Sequence, residues 1–163
     1  MAEDQSSRSM YELVGGMPTF TRLAEAFYRG VETDPLLRPL YPKSMWDPRH
    51  QARRKAHAAA ASGSTAGGAA DQPGLCSPID TLAAFLAQFF GGPRTYSDQR
   101  GHPRLKMRHV RFKIGQAERD AWFKLMCAAI EEVGIEEPIA SVMRQYFDKS
   151  STFLINSAPE VGS

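Results

Sequence analysis

An all-α fold is predicted by three observations. Four segments of the 163-residue chain repeat their apolar residues at helical spacing, no alternating stretch competes convincingly as a strand, and Gly or Pro marks most segment ends. At this length one domain is expected, large enough to bury a core and a ligand pocket. A composition of 42% hydrophobic and 23% charged residues reads as soluble and globular. The net charge of +2 is too small to imply a nucleic-acid binder. No apolar run approaches the roughly 20 residues that a membrane helix needs. The opening Met-Ala-Glu-Asp-Gln-Ser-Ser-Arg lacks the apolar core of a secretory signal. Cys76 and Cys127 stand far apart and match no metal spacing, so a reducing, cytoplasmic setting is the default expectation.

The first helix is expected from about Pro18, a residue suited to a first helical turn. Phe20, Leu23, Ala24, Phe27, Tyr28 and Val31 then fall on one face, and Asp34-Pro35 ends the run. Leu36 to Pro42 reads as one tight turn closed by Pro42. From about Lys43 to Gly74 the amphipathic rhythm is lost. Residues 56–70 are mostly Ala, Gly and Ser, and Gly63, Gly67 and Gly68 argue for a loop, an unusual length to find inside a compact domain.

Ser77-Pro78-Ile79-Asp80 then reads as a helix start, with a hydroxyl cap, proline in the first turn and an acid behind it. Leu82, Phe85, Leu86, Phe89 and Phe90 form its expected apolar face before Gly91-Gly92-Pro93. A third helix from about Gln116 to Val133 carries Trp122, Leu125, Met126, Ala129, Ile130 and Val133, with Gly134 as its stop. The last begins near Pro138 and presents Ile139, Val142, Met143, Tyr146, Phe147, Phe153 and Leu154.

The chemistry concentrates between Gly91 and Lys113. Leu105, His109 and Phe112 are spaced i, i+4, i+7, so a short helix would turn His109 inward beside two apolar groups. A neutral imidazole on a helix, facing an apolar cavity, is how a protein offers an axial ligand to haem iron. The plainer alternative is a hydrogen-bonded core or surface histidine, the commoner fate of a lone His. His102 is a rival ligand, but Gly101 and Pro103 hold it in a loop, where a structural or propionate-facing role suits it better. Arg94, Arg100, Arg104, Lys106, Arg108, Arg111 and Lys113 face one acid, Asp98, across this stretch. Haem carries two propionates that such cations would pair with, although most of the seven are expected to be a solvated basic face. A nucleic-acid groove is the weaker reading, for want of any binding motif.

Tyr28 lies on the buried face of its helix, where its hydroxyl needs a partner or costs about 1–3 kcal/mol. A partly negative diatomic ligand is a good acceptor. Tyr41 and the Trp122 indole N–H are two further donors in apolar surroundings, and each is individually also an ordinary core residue.

The wording of several motifs adds to this. Phe27-Tyr28, Leu36-Leu37-Arg38-Pro39-Leu40-Tyr41-Pro42, Phe89-Phe90-Gly91-Gly92-Pro93, Tyr96-Ser97, Arg100-Gly101-His102-Pro103, Met107-Arg108-His109 and Ala121-Trp122 closely resemble group II truncated haemoglobin motifs, in that family's order. The resemblance covers roughly residues 10–42 and 75–156. It implies a two-over-two helical sandwich around haem b, with His109 as proximal iron ligand. Tyr28, Tyr41 and Trp122 become the cluster that hydrogen-bonds dioxygen. Leu82, Phe85, Leu86 and Phe112 would line the haem, Tyr96 would lie near a propionate, and Arg108 and Trp122 would also contact the cofactor. By this reading residues 1–9 are a flexible extension, 10–156 the globin domain with a low-complexity insertion at about 43–74, and 157–163 a flexible tail.

Two departures accompany the resemblance. Over thirty residues stand where the family uses a short link, near the expected ligand entrance. Pro78 and Thr81 occupy the start of the next helix, where a relative can present a longer side chain; Thr81 is too short for a distant ion pair. Three functions are weighed. The first is a cytoplasmic haem protein that binds dioxygen tightly and releases it slowly, with CO and NO as further ligands, serving O2/NO binding, sensing or detoxification. The second is a nitric oxide dioxygenase or peroxidase-like enzyme, which would need an external reductase because the chain carries no flavin or dinucleotide motif. The third is a haem-free helical adaptor that uses the basic face. No membrane partner is expected, and the oligomeric state, including a homodimer, is left open.

Overall fold

The computed structural model describes residues 8–41, 43–49, 51–52 and 77–157. The main helices are α1 (Met10–Leu13), α2 (Met17–Thr33), α3 (Pro78–Phe89), α4 (Thr95–Arg100), α5 (Leu105–His109), α6 (Gln116–Val133) and α7 (Ile139–Phe153). Among the described residues there is no strand. Helix α2 packs on both α3 and α6, and α6 packs on α7, so two helix pairs face each other as a two-over-two sandwich. No helix among the described residues is long and apolar enough to cross a membrane.

The expected face of α2 is the centre of the core. Phe20, Leu23, Ala24, Phe27, Tyr28 and Val31 are all buried, each large side chain contributing about 1.5–3 kcal/mol by leaving water. Pro18 sits in the first turn, as its fixed φ favours. At the far end Asp34 Oδ1 accepts the backbone N–H groups of Leu36 at 2.9 Å and Leu37 at 3.0 Å, which turns the chain into a 3-10 helix over Arg38–Leu40. Gly30 lets α2 approach α6 closely: a Cβ there would lie 2.8 Å from Leu125 Cδ2.

Ser77 starts α3 as its sequence predicts, with Oγ accepting from Asp80 N at 3.2 Å and its hydroxyl donating to Asp80 Oδ2 at 2.8 Å. The buried residues of α3 are nevertheless mainly small: Ala83, Ala84, Leu86 and Ala87, with Phe90 just beyond. Phe89, expected on the buried face, is 53% exposed and stacks on Tyr146 with ring centroids 4.0 Å apart. Val142 and Phe153 of α7 are likewise largely outside, because each stands at the edge of a stripe wider than its helix contacts. The other expected residues of α6 and α7 are buried or pack partly buried against the core, apart from Leu154, which borders the cavity described below.

Order also extends into the stretch expected as a loop from about Lys43. Lys43–Trp46 forms a 3-10 turn, and Trp46 packs against the core with the Arg38 guanidinium 5.4 Å from its ring centroid. Asp47 then caps a further turn, its Oδ1 accepting from Arg49 N at 2.8 Å. The rest of that expected insertion, and nearly all of the expected terminal segments at 1–9 and 157–163, lie outside the described residues.

Helix α1 has no counterpart in the sequence reading. Ser9 and Glu12 form a capping box around it. Tyr11 stacks on Phe20 at 5.7 Å, and its hydroxyl accepts from Met17 N at 3.0 Å. Gly92 makes room for that ring, since a Cβ there would meet Tyr11 Cδ2 at 2.5 Å.

Candidate functional site

The space between the helix pairs encloses a cavity of about 200 Å3. Its wall is largely apolar and draws on every main layer: Phe27 and Tyr28 from α2, Leu82, Phe85 and Leu86 from α3, Leu105 and His109 from α5, Trp122 from α6, and Tyr146 and Phe147 from α7. Leu37, Leu40 and Tyr41 close one side from the 3-10 turn and its flanks, and Phe112 closes another.

Tyr28, Tyr41 and Trp122 form one connected group. The rings of Tyr28 and Tyr41 meet edge to face at 5.4 Å, and the Trp122 indole N–H hydrogen-bonds the Tyr41 oxygen. Phe27 holds the group from behind, 5.0 Å from Tyr28 and 5.4 Å from Trp122. Burial raises the Tyr28 pKa well above its ordinary value, with neighbouring Tyr41 adding to the effect. Burial pushes Tyr41 up to about 12, slightly opposed by the bond from Trp122. Both phenols are therefore neutral donors at any physiological pH. Linkage gives the sign: between pH 10.0, where an unfolded tyrosine releases its proton, and about 12, the folded chain keeps protons that the unfolded chain has lost. Stability is expected to be unaffected by these groups below pH 10 and to fall across that window. Denaturant midpoints measured from pH 9 to 12 should show a decline that Tyr41→Phe makes shallower.

His109 ends α5. Its Nδ1 lies 2.6 Å from the carbonyl oxygen of Leu105, an atom that can only accept. Nδ1 therefore carries the proton, and in the neutral ring the Nε2 lone pair is the one left for another partner. Phe112 stands against the imidazole at 6.3 Å, as the i, i+4, i+7 spacing predicts, although α5 stops before reaching it.

A clamp that local sequence patterns do not reveal fixes the end of this short helix. Asn156 Nδ2 donates to the carbonyls of His109 at 3.2 Å and Phe112 at 2.8 Å, its Oδ1 accepts from Ile114 N at 2.9 Å, and its own N–H reaches Ile114 O at 2.9 Å. Replacing Asn156 by Ala removes the three side-chain bonds, and a loss of about 1–3 kcal/mol in unfolding free energy is expected from equilibrium denaturation.

Several predicted residues stand elsewhere. Tyr96 is buried behind Phe85, 5.5 Å from its ring, and is absent from the cavity wall. Arg108 is exposed and donates to the carbonyls of Pro103 at 2.7 Å and Arg100 at 3.1 Å, with its guanidinium over Tyr96. His102 is exposed and accepts from Arg104 N, as a loop residue. The Thr81 hydroxyl donates to Ser77 O at 2.9 Å, and neither Thr81 nor Pro78 lines the cavity. In their place the wall includes Glu118, Arg119, Tyr146, Ser150 and Ser151. Burial raises the Tyr146 pKa to about 12, offset in part by its hydrogen bond with Ser150. The helical spacing of Phe147 with Ser151, and of Ser150 with Leu154, is the signal that could have found the last turns of α7.

The family model described as bacterial-like globin matches residues 66–154. The group 2 truncated hemoglobin YjbI of Bacillus subtilis is 26% identical over 152 residues, 93% of this chain and 92% of that protein. A solved haemoglobin from the thermophilic phototrophic bacterium Chloroflexus aurantiacus is 39% identical, covering 93% of this chain and 100% of its own, with a TM-score of 0.71. The solved truncated oxygen-avid haemoglobin from Bacillus subtilis is 26% identical, covering 91% and 100%, with a TM-score of 0.69. The chain is a group II truncated haemoglobin.

Membership of the globins implies haem binding, and the residues of this truncated haemoglobin fit such a group. The wall is apolar enough for a flat hydrophobic ring, the imidazole has one uncommitted nitrogen, and a separate set of donors reaches the same space. The expectation of a haem-free adaptor has no support here.

Proposed function

We propose that this truncated haemoglobin binds haem b through His109 and holds dioxygen with high affinity and slow release, with CO and NO as further ligands. One observation carries the reading: a single apolar cavity is bordered both by an imidazole with a free Nε2 and by the linked donors Tyr28, Tyr41 and Trp122. Haem, when bound there, supplies the iron centre at which a diatomic gas is held.

His109 offers Nε2 while the bond from Nδ1 to Leu105 O fixes the tautomer and orients the ring. Asn156 steadies the backbone at the end of that helix. Leu82, Phe85, Leu86 and Phe112, which line the cavity, would hold a haem there and exclude water from it. Tyr28 and Trp122, with Tyr41 between them, present donors to a ligand that carries partial negative charge. The oxygen-avid character of the Bacillus subtilis haemoglobin agrees with a donor-rich pocket of this kind.

The test is an absorption spectrum of the chain titrated with hemin, then reduced under carbon monoxide, beside His109→Ala. The expected parent takes up one equivalent with a sharp Soret band that moves when CO binds, and the variant loses the band or shows that of a weakly held haem. No stoichiometric band in the parent, or an unchanged band in the variant, overturns the assignment.

A further inference from the structure

The helix that carries His109 inward turns an unusual surface outward. Val110, bonded directly to His109, is 71% exposed, and Met107 is 66% exposed. Lys106 beside them lies 4.3 Å over the ring centroid of Phe153, itself 55% exposed, so the apolar surface continues onto α7. Arg104 and Arg111 are exposed at either end of the helix. Arg104 sits there with φ at +44°, left-handed backbone that a side-chain-bearing residue rarely adopts. None of Arg104, Lys106 and Arg111 has a carboxylate partner within salt-bridge distance among the described residues.

An exposed Met and Val with Arg and Lys around them is the make-up of a protein docking site, apolar at the centre and charged at the rim. Like charge opposes a second copy of this chain meeting the face head on. The helix is too short to lie in a lipid surface as an amphipathic anchor, and the sequence carries no nucleic-acid-binding motif.

We infer that the outward face of α5 is where an acidic one-electron donor protein docks. The inference rests on the haem reading above and supplies the partner it lacks, since a gas-binding ferrous haem must be regenerated whenever it oxidises and no flavin or dinucleotide motif is present in the sequence. The anionic flavin hydroquinone of the partner would give up one electron and become the neutral semiquinone, and a ferric haem held by His109 would be left ferrous, with no proton transferred and no bond made or broken. The route is short, because the outermost residue of the face, Val110, is covalently next to His109.

The probe is a bacterial flavodoxin, a small acidic flavoprotein, mixed as its hydroquinone with the hemin-loaded ferric chain under CO in a stopped-flow instrument. Expected for the parent is a second-order reduction rate that falls at least about ten-fold as ionic strength rises from roughly 0.02 to 0.5 M, as charges are screened. K106E/R111E should lose about ten-fold or more at low salt, while K43E/K124E, with the same change in net charge, stays within about two-fold of the parent. Amide shifts of the 15N-labelled ferrous-CO chain on adding oxidised flavodoxin should centre on residues 104–113, and K106E/R111E should keep the parent's Soret and CO spectra. The haem reading itself fails at the loading step, with no stoichiometric Soret band. The docking inference fails separately if a loaded parent shows no salt dependence, if both double variants slow equally, or if the shifts map elsewhere. Loss of binding to phosphatidylserine vesicles in K106E/R111E, with flavodoxin reduction unaffected, overturns it in favour of a membrane surface.

Discussion

Tyr28→Phe combined with Trp122→Phe is expected to release bound dioxygen tens to thousands of times faster than the parent. Each donor to a partly negative ligand contributes about 1–3 kcal/mol, and each 1.4 kcal/mol is a factor of ten in a dissociation rate when the loss falls on the bound state. The single variants are expected to fall short of half this effect on a logarithmic scale. Trp122 hydrogen-bonds Tyr41, and Tyr41 packs on Tyr28, so loss of one donor leaves the other two able to adjust. Dissociation measured by displacement with CO gives the number directly. A double variant within a factor of two of the parent would mean that the cluster packs the pocket without holding the ligand. Association should change less in Tyr28→Phe, which removes only a hydroxyl, whereas Trp122→Phe also shrinks a ring that lines the cavity, so a faster association is expected to trace to that substitution.

How far this site was readable in the sequence depends on the distance over which each contact acts. The α2 face, the Ser77 cap and the placing of Leu105, His109 and Phe112 follow from spacings of three, four and seven residues, and the structure has them as expected. Convergence of Tyr28, Tyr41 and Trp122 was available only from motif resemblance, since nothing local brings residue 122 to residue 28. Asn156 was invisible for the same reason, its partners lying 42–47 residues away. Tyr96 and Arg108 were legible as neighbours of the site, but their contacts within the fold were not. Tyr96 is packed against Phe85, and Arg108 satisfies loop carbonyls of the Arg100 to Pro103 turn, so both support the wall from outside. Two short elements were missed for a local reason. The Ser9 to Glu12 capping box and the Asp47-Pro48 start are present in the sequence, but each helix is too short to show a period.

Phe147→Ala is expected to cost about 3–5 kcal/mol, a large part of the 5–15 kcal/mol that holds a domain of this size together. The ring is 1% exposed and stands where the core and the cavity share a wall, 5.7 Å from Trp122 and 5.3 Å from Tyr146. Truncation removes its buried area and leaves a void that α6 and α7 can fill only by moving Trp122 or Tyr146. Urea unfolding of the chain without haem should show the lower midpoint with little change in slope. The same variant distinguishes packing from hydrogen bonding at the gas site. Trp122 keeps its N–H but loses the ring that braces it, so a faster dioxygen release in Phe147→Ala, beside an intact Soret band, would show that donor orientation as well as donor identity sets the rate. Phe147→Leu restores most of the volume and is expected to recover most of both quantities. If leucine rescues stability but not the off-rate, the aromatic edge against Trp122 is what holds the indole in place.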